Sequence, residues 1–324
     1  MDLMEMVRDR AKAKCPTIVF ADADAETVVA AAKKAMDYGM IKPVLVGTKS
    51  IIEGHGIDLT GMKVIDVASE GDKVAEYAQK YEDRGELPAE VVAPIIAEPV
   101  GYSCMMVSEG DADGLFGGFL YPTEDIINGA NMFIGLSEGT ITPSSYIIVD
   151  VPGWEGGEDG LTVFADCTLV PHPNSEELAC IAINTSASVT KLLGWDPRVA
   201  MLSFSTKGSA KHADVNKVLD ALKIVKEKQP DLMIDGELQL DAAIVPKISQ
   251  KKVKGDNPLQ GNANILIFPD LDAGNIGCKL VQFYAHANIY GAVICGFARP
   301  IAEVSRSFGV DDLVGAIGLL AGQM

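Results

Sequence analysis

Short, uninterrupted apolar runs alternating with helix-patterned stretches constrain this chain more than any other feature. Residues 17–20, 43–46 and 63–65 are brief runs without the polar alternation of a half-solvated strand, as expected for strands covered on both faces. Between them, Leu3, Met6, Val7 and Ala11 recur at helical spacing behind Asp2, a predicted N-cap. Val28, Val29, Ala32, Ala35 and Met36 mark a second helix that Gly39 is placed to close. The alternation continues through a helix near 72–82 and a strand at 105–107. It predicts an α/β fold with a parallel or mixed sheet flanked by helices.

The pattern changes near Gly139. Two β-rich runs around the loop WEGGEDG read as a hairpin rather than another strand–helix unit. Helical units then resume: Asn174 and Glu177 are spaced as a capping box, and Val215, Val218, Leu219, Leu222 and Val225 form an apolar stripe. A polar loop carrying Lys247, Lys251, Lys252 and Lys254 precedes a strand at 265–268, a helix near 279–287, a strand at 292–295 and a terminal helix from about Asp311. At 324 residues the chain exceeds the usual single-domain size, so two domains, or one interrupted by another, are expected.

The net charge of −18 argues against nucleic acid, whose phosphodiesters are held by Lys and Arg, and against an anionic membrane surface. A small anion is compatible only with a site supplying its own cations or helix N-termini. The six cysteines are scattered without a CxxC pair and read as reduced core residues. The N-terminus lacks a signal-peptide pattern and no run of about 18 apolar residues occurs, so a cytoplasmic protein is expected.

No GxxxxGK[ST] loop, well-placed GxGxxG or GxSxG elbow is present, and His55, His172, His212 and His286 lack metal-ligand spacing. Two segments near the C-terminus attract interest. In NANILIFPDLDAGNIGCKLVQ, Asp270, Asp272, Gly274, Asn275 and Gly277 follow a buried strand and precede a helix, where ligands bind in open α/β sheets. In GAVICGFARPIAEVSRSFGVDD, a second strand leads to Arg299, Ser305, Arg306, Asp311 and Asp312. Spacing alone leaves both open: the first is also an ordinary strand–loop–helix junction, and in the second Asp311 and Asp312 also fit a first helical turn.

FADCTLVPHPNSEELACIAINTS, DPRVAMLSFST, ANILIFPDLDAGNIGCKLVQ and PIAEVSRS, in this order, resemble blocks of the phosphate acetyl/butyryltransferase family. The resemblance implies an α/β two-domain, isocitrate/isopropylmalate dehydrogenase-like three-layer fold with an interdomain cleft. It implies a discontinuous domain of residues 1–140 plus 292–324, and an inserted domain of 141–291 through which a homodimer forms. It also implies reversible transfer of an acetyl, propionyl or butyryl group between coenzyme A and inorganic phosphate, without metal or redox cofactor and with coenzyme A as a substrate.

On these residues the resemblance makes Asp312 the base for the coenzyme A thiol, Ser305 the donor to the carbonyl oxygen and Arg306 the phosphate ligand. Thr123, Asn275, Lys279 and Lys254 are its substrate-binding candidates. Where the family has HSTADTxR, this chain has Tyr121, Pro122, Thr123, Glu124, Asp125 and then Asn128. A second family arginine aligns with Tyr81, with Arg84 three residues on. These replacements motivate an alternative, a noncatalytic paralogue that binds coenzyme A or a protein partner. A dehydrogenase of the related fold predicts nicotinamide binding, for which the chain carries no clear fingerprint.

Overall fold

The early apolar runs become strands in the computed structural model, which describes residues 3–324. The chain begins α1 (Leu3–Lys14), β1 (Thr17–Phe20), α2 (Glu26–Asp37), β2 (Lys42–Val46), α3 (Lys49–Gly54), β3 (Lys63–Ile65), α4 (Gly71–Asp83), α5 (Ala89–Ile96), α6 (Pro99–Glu109), β4 (Gly114–Gly117) and α7 (Thr123–Phe133). It continues with β5 (Ser144–Asp150), β6 (Leu161–Ala165), α8 (Ser175–Leu193), β7 (Arg198–Leu202), α9 (Ala213–Lys228), β8 (Met233–Leu238), α10 (Leu240–Ile244) and α11 (Pro246–Lys252). Then come β9 (Ile265–Ile267), α12 (Leu271–Tyr284), β10 (Asn288–Cys295), β11 (Ile301–Glu303) and α13 (Val310–Gly322). Two units result, one running to Glu138 and resuming at Phe297–Met324, the other Gly139–Gly296.

The first unit holds a five-stranded sheet in the order β11-β4-β1-β2-β3, parallel at every pairing. Ile18 and Phe20 of β1 join a core with Val28 and Ala32 of α2 and Leu313 and Ile317 of α13. Val19, between them, points to the opposite face by the two-residue period of a strand, and α6 packs against β1 and β4. The Phe20 and Phe116 rings lie 5.1 Å apart, and truncating either to Ala costs about 3–5 kcal/mol. The sheet is therefore covered on both faces, as its continuous apolar runs require.

The second unit holds a six-stranded sheet in the order β10-β5-β6-β9-β7-β8. Its β5–β6 pair is antiparallel, the hairpin read from the sequence, and β10 adds antiparallel to β5. The remaining pairings are parallel. The capping box forms as well: Asn174 Oδ1 accepts the Glu177 N–H at 3.0 Å while Glu177 accepts the Asn174 N–H at 2.8 Å.

Several expectations shift. Residues 105–107 lie inside α6, not in a strand; Val100–Val107 are all buried, so the helix shows no polar face to reveal its period. The expected domain edge at 291/292 moves to 296/297, because β10 belongs wholly to the second unit's sheet. The polar residues after the 265–267 strand are not a loop: Asp270 caps α12 by accepting the Ala273 N–H, and Gly274, Asn275 and Gly277 lie within it. The Asp2 N-cap lies outside the described residues.

Among the described residues no single helix is long and apolar enough to cross a membrane. α5 and α6 together pass on length and composition, but they bend by 111° and α6 is buried within its unit.

Candidate active site

The parallel pairing of β1, β4 and β11 brings three strand ends together in the first unit, the edge at which open α/β sheets bind ligands. There, Gly118, Tyr121, Pro122, Thr123, Glu303, Val304, Ser305 and Arg306 line a recess of about 470 Å³.

Glu303 is the acidic side chain of its lining, and Asp22 lies buried near it. Asp22, just past β1 and fully buried, accepts the N–H groups of Phe119 at 2.9 Å, Leu120 at 3.1 Å and Tyr121 at 3.4 Å. Burial raises the Asp22 carboxyl above its ordinary range, and those backbone N–H groups oppose the shift by favouring the anion. Glu303, the last residue of β11, stands in register with Gly117 of β4. Its Oε1 accepts the Thr123 hydroxyl at 2.6 Å. Burial raises the Glu303 carboxyl, the Thr123 hydrogen bond lowers it, and the Asp22 charge raises it. Gly118 has φ +101°, and a Cβ there would meet Glu303 Cγ at 2.9 Å, so glycine is required for both conformation and space.

Tyr121 keeps its phenol proton, pushed up to about 12 by burial first and by the Asp22 charge next. Ser305 and Arg306 are exposed on the rim; Ser305 Oγ lies 2.9 Å from Ser307 Oγ. Among the described residues that line the recess, Arg306 is the one cation.

The structure thus brings together Thr123, Ser305 and Arg306. Asp312 is not among the lining residues: it sits in the first turn of α13, where its Oδ2 accepts the Gly309 N–H at 2.9 Å. Of the arginine replacements, Asn128 is exposed on α7, and Tyr81 is buried with its hydroxyl donating to the Met132 carbonyl at 3.0 Å. Arg84 does not substitute: it is tied to Glu109 and Ser108.

In the second unit, Asn275 Nδ2 donates to the Cys167 carbonyl at 3.1 Å, fastening α12 to the segment after β6. Gly274 makes that approach possible, since a Cβ there would fall 2.1 Å from the Asp166 carbonyl oxygen. Lys279 and Lys254 are exposed, whereas Lys252 is bound to Asp241 and Gln239.

Sequence reasoning passed over Asp22 and Glu303. Glu303 was findable: along PIAEVSRS it stands two residues before Ser305, the spacing that keeps side chains on one face of a strand. Asp22 carries no such signal.

As a fold, the chain is similar to 4-hydroxythreonine-4-phosphate dehydrogenase from Klebsiella pneumoniae, with TM-score 0.50 and 13% identity over 95% of this chain and 97% of that one. That likeness sets it among dehydrogenase-like α/β proteins by architecture alone. Much closer is a phosphotransacetylase from Streptococcus pyogenes, with TM-score 0.91 and 31% identity over 99% of this chain and 97% of that one. Phosphate acetyltransferase from Acetivibrio thermocellus is 40% identical over 328 residues, covering 100% of this chain and 98% of the relative. A sequence model described as phosphate acetyl/butaryl transferase matches residues 2–321. The chain belongs to that family and is an acyltransferase. Nothing in these likenesses favours the noncatalytic reading.

Proposed function

We propose that the chain moves a short acyl group, acetyl, propionyl or butyryl, reversibly between coenzyme A and inorganic phosphate, with coenzyme A as a substrate and no bound cofactor. The observation that carries the assignment of residues is the meeting of Thr123, Ser305 and Arg306 around one recess at the strand ends. Arg306 offers a planar fork of N–H groups to phosphate, and among the described residues no carboxylate pairs with its exposed guanidinium. Ser305 stands beside it as the donor to the carbonyl oxygen as negative charge develops there. Asp312 takes the thiol proton, which a thiol of pKa about 8.5 must lose to react at neutral pH. Lys254, Asn275 and Lys279 serve coenzyme A in this reading.

The chain acts as a cytoplasmic homodimer assembled through the second unit. On α12, Ile276, Leu280, Phe283 and Tyr284 are 57, 50, 69 and 84% exposed at helical spacing. An apolar stripe of that kind marks an interaction surface.

The test is to mix acetyl, propionyl or butyryl phosphate with coenzyme A and folded protein and follow thioester absorbance. Thioester formation with at least one of them is expected. No turnover above blank with any would overturn the assignment.

A further inference from the structure

An acidic side chain inside a phosphate site calls for an explanation. Glu303 lines the same recess as Arg306, with Asp22 close behind it. An ionised carboxylate and a phosphate dianion repel each other unless a proton lies between them. Monohydrogen phosphate carries such a proton on its P–OH. Glu303 Oε1 is occupied by the Thr123 hydroxyl at 2.6 Å, and no hydrogen bond from a described residue engages Oε2.

We propose that Glu303 is a catalytic residue on the phosphate side of the reaction, accepting the P–OH proton as phosphate attacks the thioester. This rests on the acyl-transfer reading above. In that direction a phosphate oxygen forms the C–O bond, the C–S bond breaks, and the P–OH proton passes to Glu303 Oε2. The departing thiolate takes a proton from Asp312 or solvent, leaving acyl phosphate dianion and free coenzyme A. In reverse, Glu303 returns its proton to phosphate as the acyl–oxygen bond breaks. Arg306 holds the remaining phosphate oxygens. Thr123 is a positioning residue that aims the carboxylate and, by donating to it, favours its anion.

The proton affinity of Glu303 is suited to this exchange, because burial and Asp22 raise it above that of a free glutamate. The other ionisable groups lining the recess are Tyr121, on the loop before α7, and Arg306, while α7, which packs against β11, carries Glu124 and Asp125 in its first turn. On α13, which packs against β11, they are Asp311, bonded to Lys34, and Asp312.

The experiment measures Glu303→Gln and Thr123→Val with acetyl-coenzyme A and inorganic phosphate across pH 5 to 9. Thermal melting and calorimetric coenzyme A titration check the fold. Glutamine keeps an acceptor for Thr123 but takes no proton, so turnover falls about 100-fold or more. The phosphate KM falls with it, because a negative charge has left an anion site. The acid limb due to Glu303 disappears, while phosphate's own ionisation persists in both proteins. Thr123→Val removes the bond that favours the anion and moves that limb to higher pH; Glu303→Asp restores part of the rate.

A folded Glu303→Gln protein with wild-type turnover, or with turnover and phosphate binding both weakened by one factor at every pH, overturns the assignment. If Glu303→Gln does not fold, an unmoved acid limb in Thr123→Val does so instead. A wild-type protein that forms no thioester overturns the acyl-transfer reading itself, and this assignment with it.

Discussion

Asp22 Oδ2 accepts the N–H of Phe119 at 2.9 Å across 97 residues of sequence, joining the end of β1 to the loop that enters α7. The same carboxylate receives Leu120 and Tyr121. Asp22→Ala strands these donors, and a buried unsatisfied group costs about 1–3 kcal/mol. Chemical denaturation is expected to show a loss of about 3 kcal/mol or more. Acyl transfer falls as well, since the 119–121 loop that leads to Thr123 loses its anchor. Unchanged stability in the variant would contradict the buried network.

Arg306→Ala should weaken phosphate far more than coenzyme A. Losing a charge-assisted hydrogen bond of about 1.5–3 kcal/mol raises the phosphate KM by about 10- to 100-fold. Conversely, Asn128→Arg places a cation on an exposed position midway along α7, the helix that Thr123 begins, at little cost to folding. It should lower the phosphate KM several-fold. Steady-state kinetics with each substrate varied in turn distinguishes these outcomes from a general loss of fold.

Alkaline stability should decline early. Burial is the largest cause raising the hydroxyls of Tyr77, Tyr102, Tyr121 and Tyr146, and the thiols of Cys104, Cys167, Cys278 and Cys295. In the unfolded chain these groups release protons from about pH 8.5 for thiols and 10 for phenols. The folded protein still holds them there; Tyr121, Cys104 and Cys295 lose theirs only at about 12. The unfolded state therefore binds fewer protons in that window, and stability falls as pH rises through it. Melting temperature should drop progressively above about pH 8.5, with tyrosinate absorbance appearing together with unfolding.

Leu280→Asp combined with Phe283→Asp should convert a dimer to a monomer in sedimentation velocity. Both side chains are at least half exposed, so the isolated unit loses little on substitution. An unaltered sedimentation coefficient would remove α12 from the interface.

The strands at 17–20 and 42–46 were legible because burial on both faces leaves an unbroken apolar run. The same condition hid α6, a helix buried around its whole girth. Ser305 and Arg306 were legible only through family resemblance, for nothing in their spacing separates them from a surface pair. Asn275 matched the same pattern, yet its amide is engaged by the Cys167 carbonyl. Glu303 could be found from its spacing to Ser305, but its meeting with Asp22 was hidden for a topological reason. Residues 22, 117 and 303 become neighbours through the order β11-β4-β1, and strand order is a long-range property that no local pattern encodes.

That strand order also sets a timetable for synthesis. Residues 139–296 emerge from the ribosome while β4 still lacks its neighbour β11, and the first unit's core still lacks Leu313 and Ile317. The inserted unit can thus close on itself first, whereas the first must wait with an open sheet edge, the condition in which nascent chains pair wrongly. The residues that finish the sheet run directly into Ser305 and Arg306. Ser305 and Arg306 thus arrive directly behind the strand that completes the sheet, and just ahead of the α13 residues that complete the core.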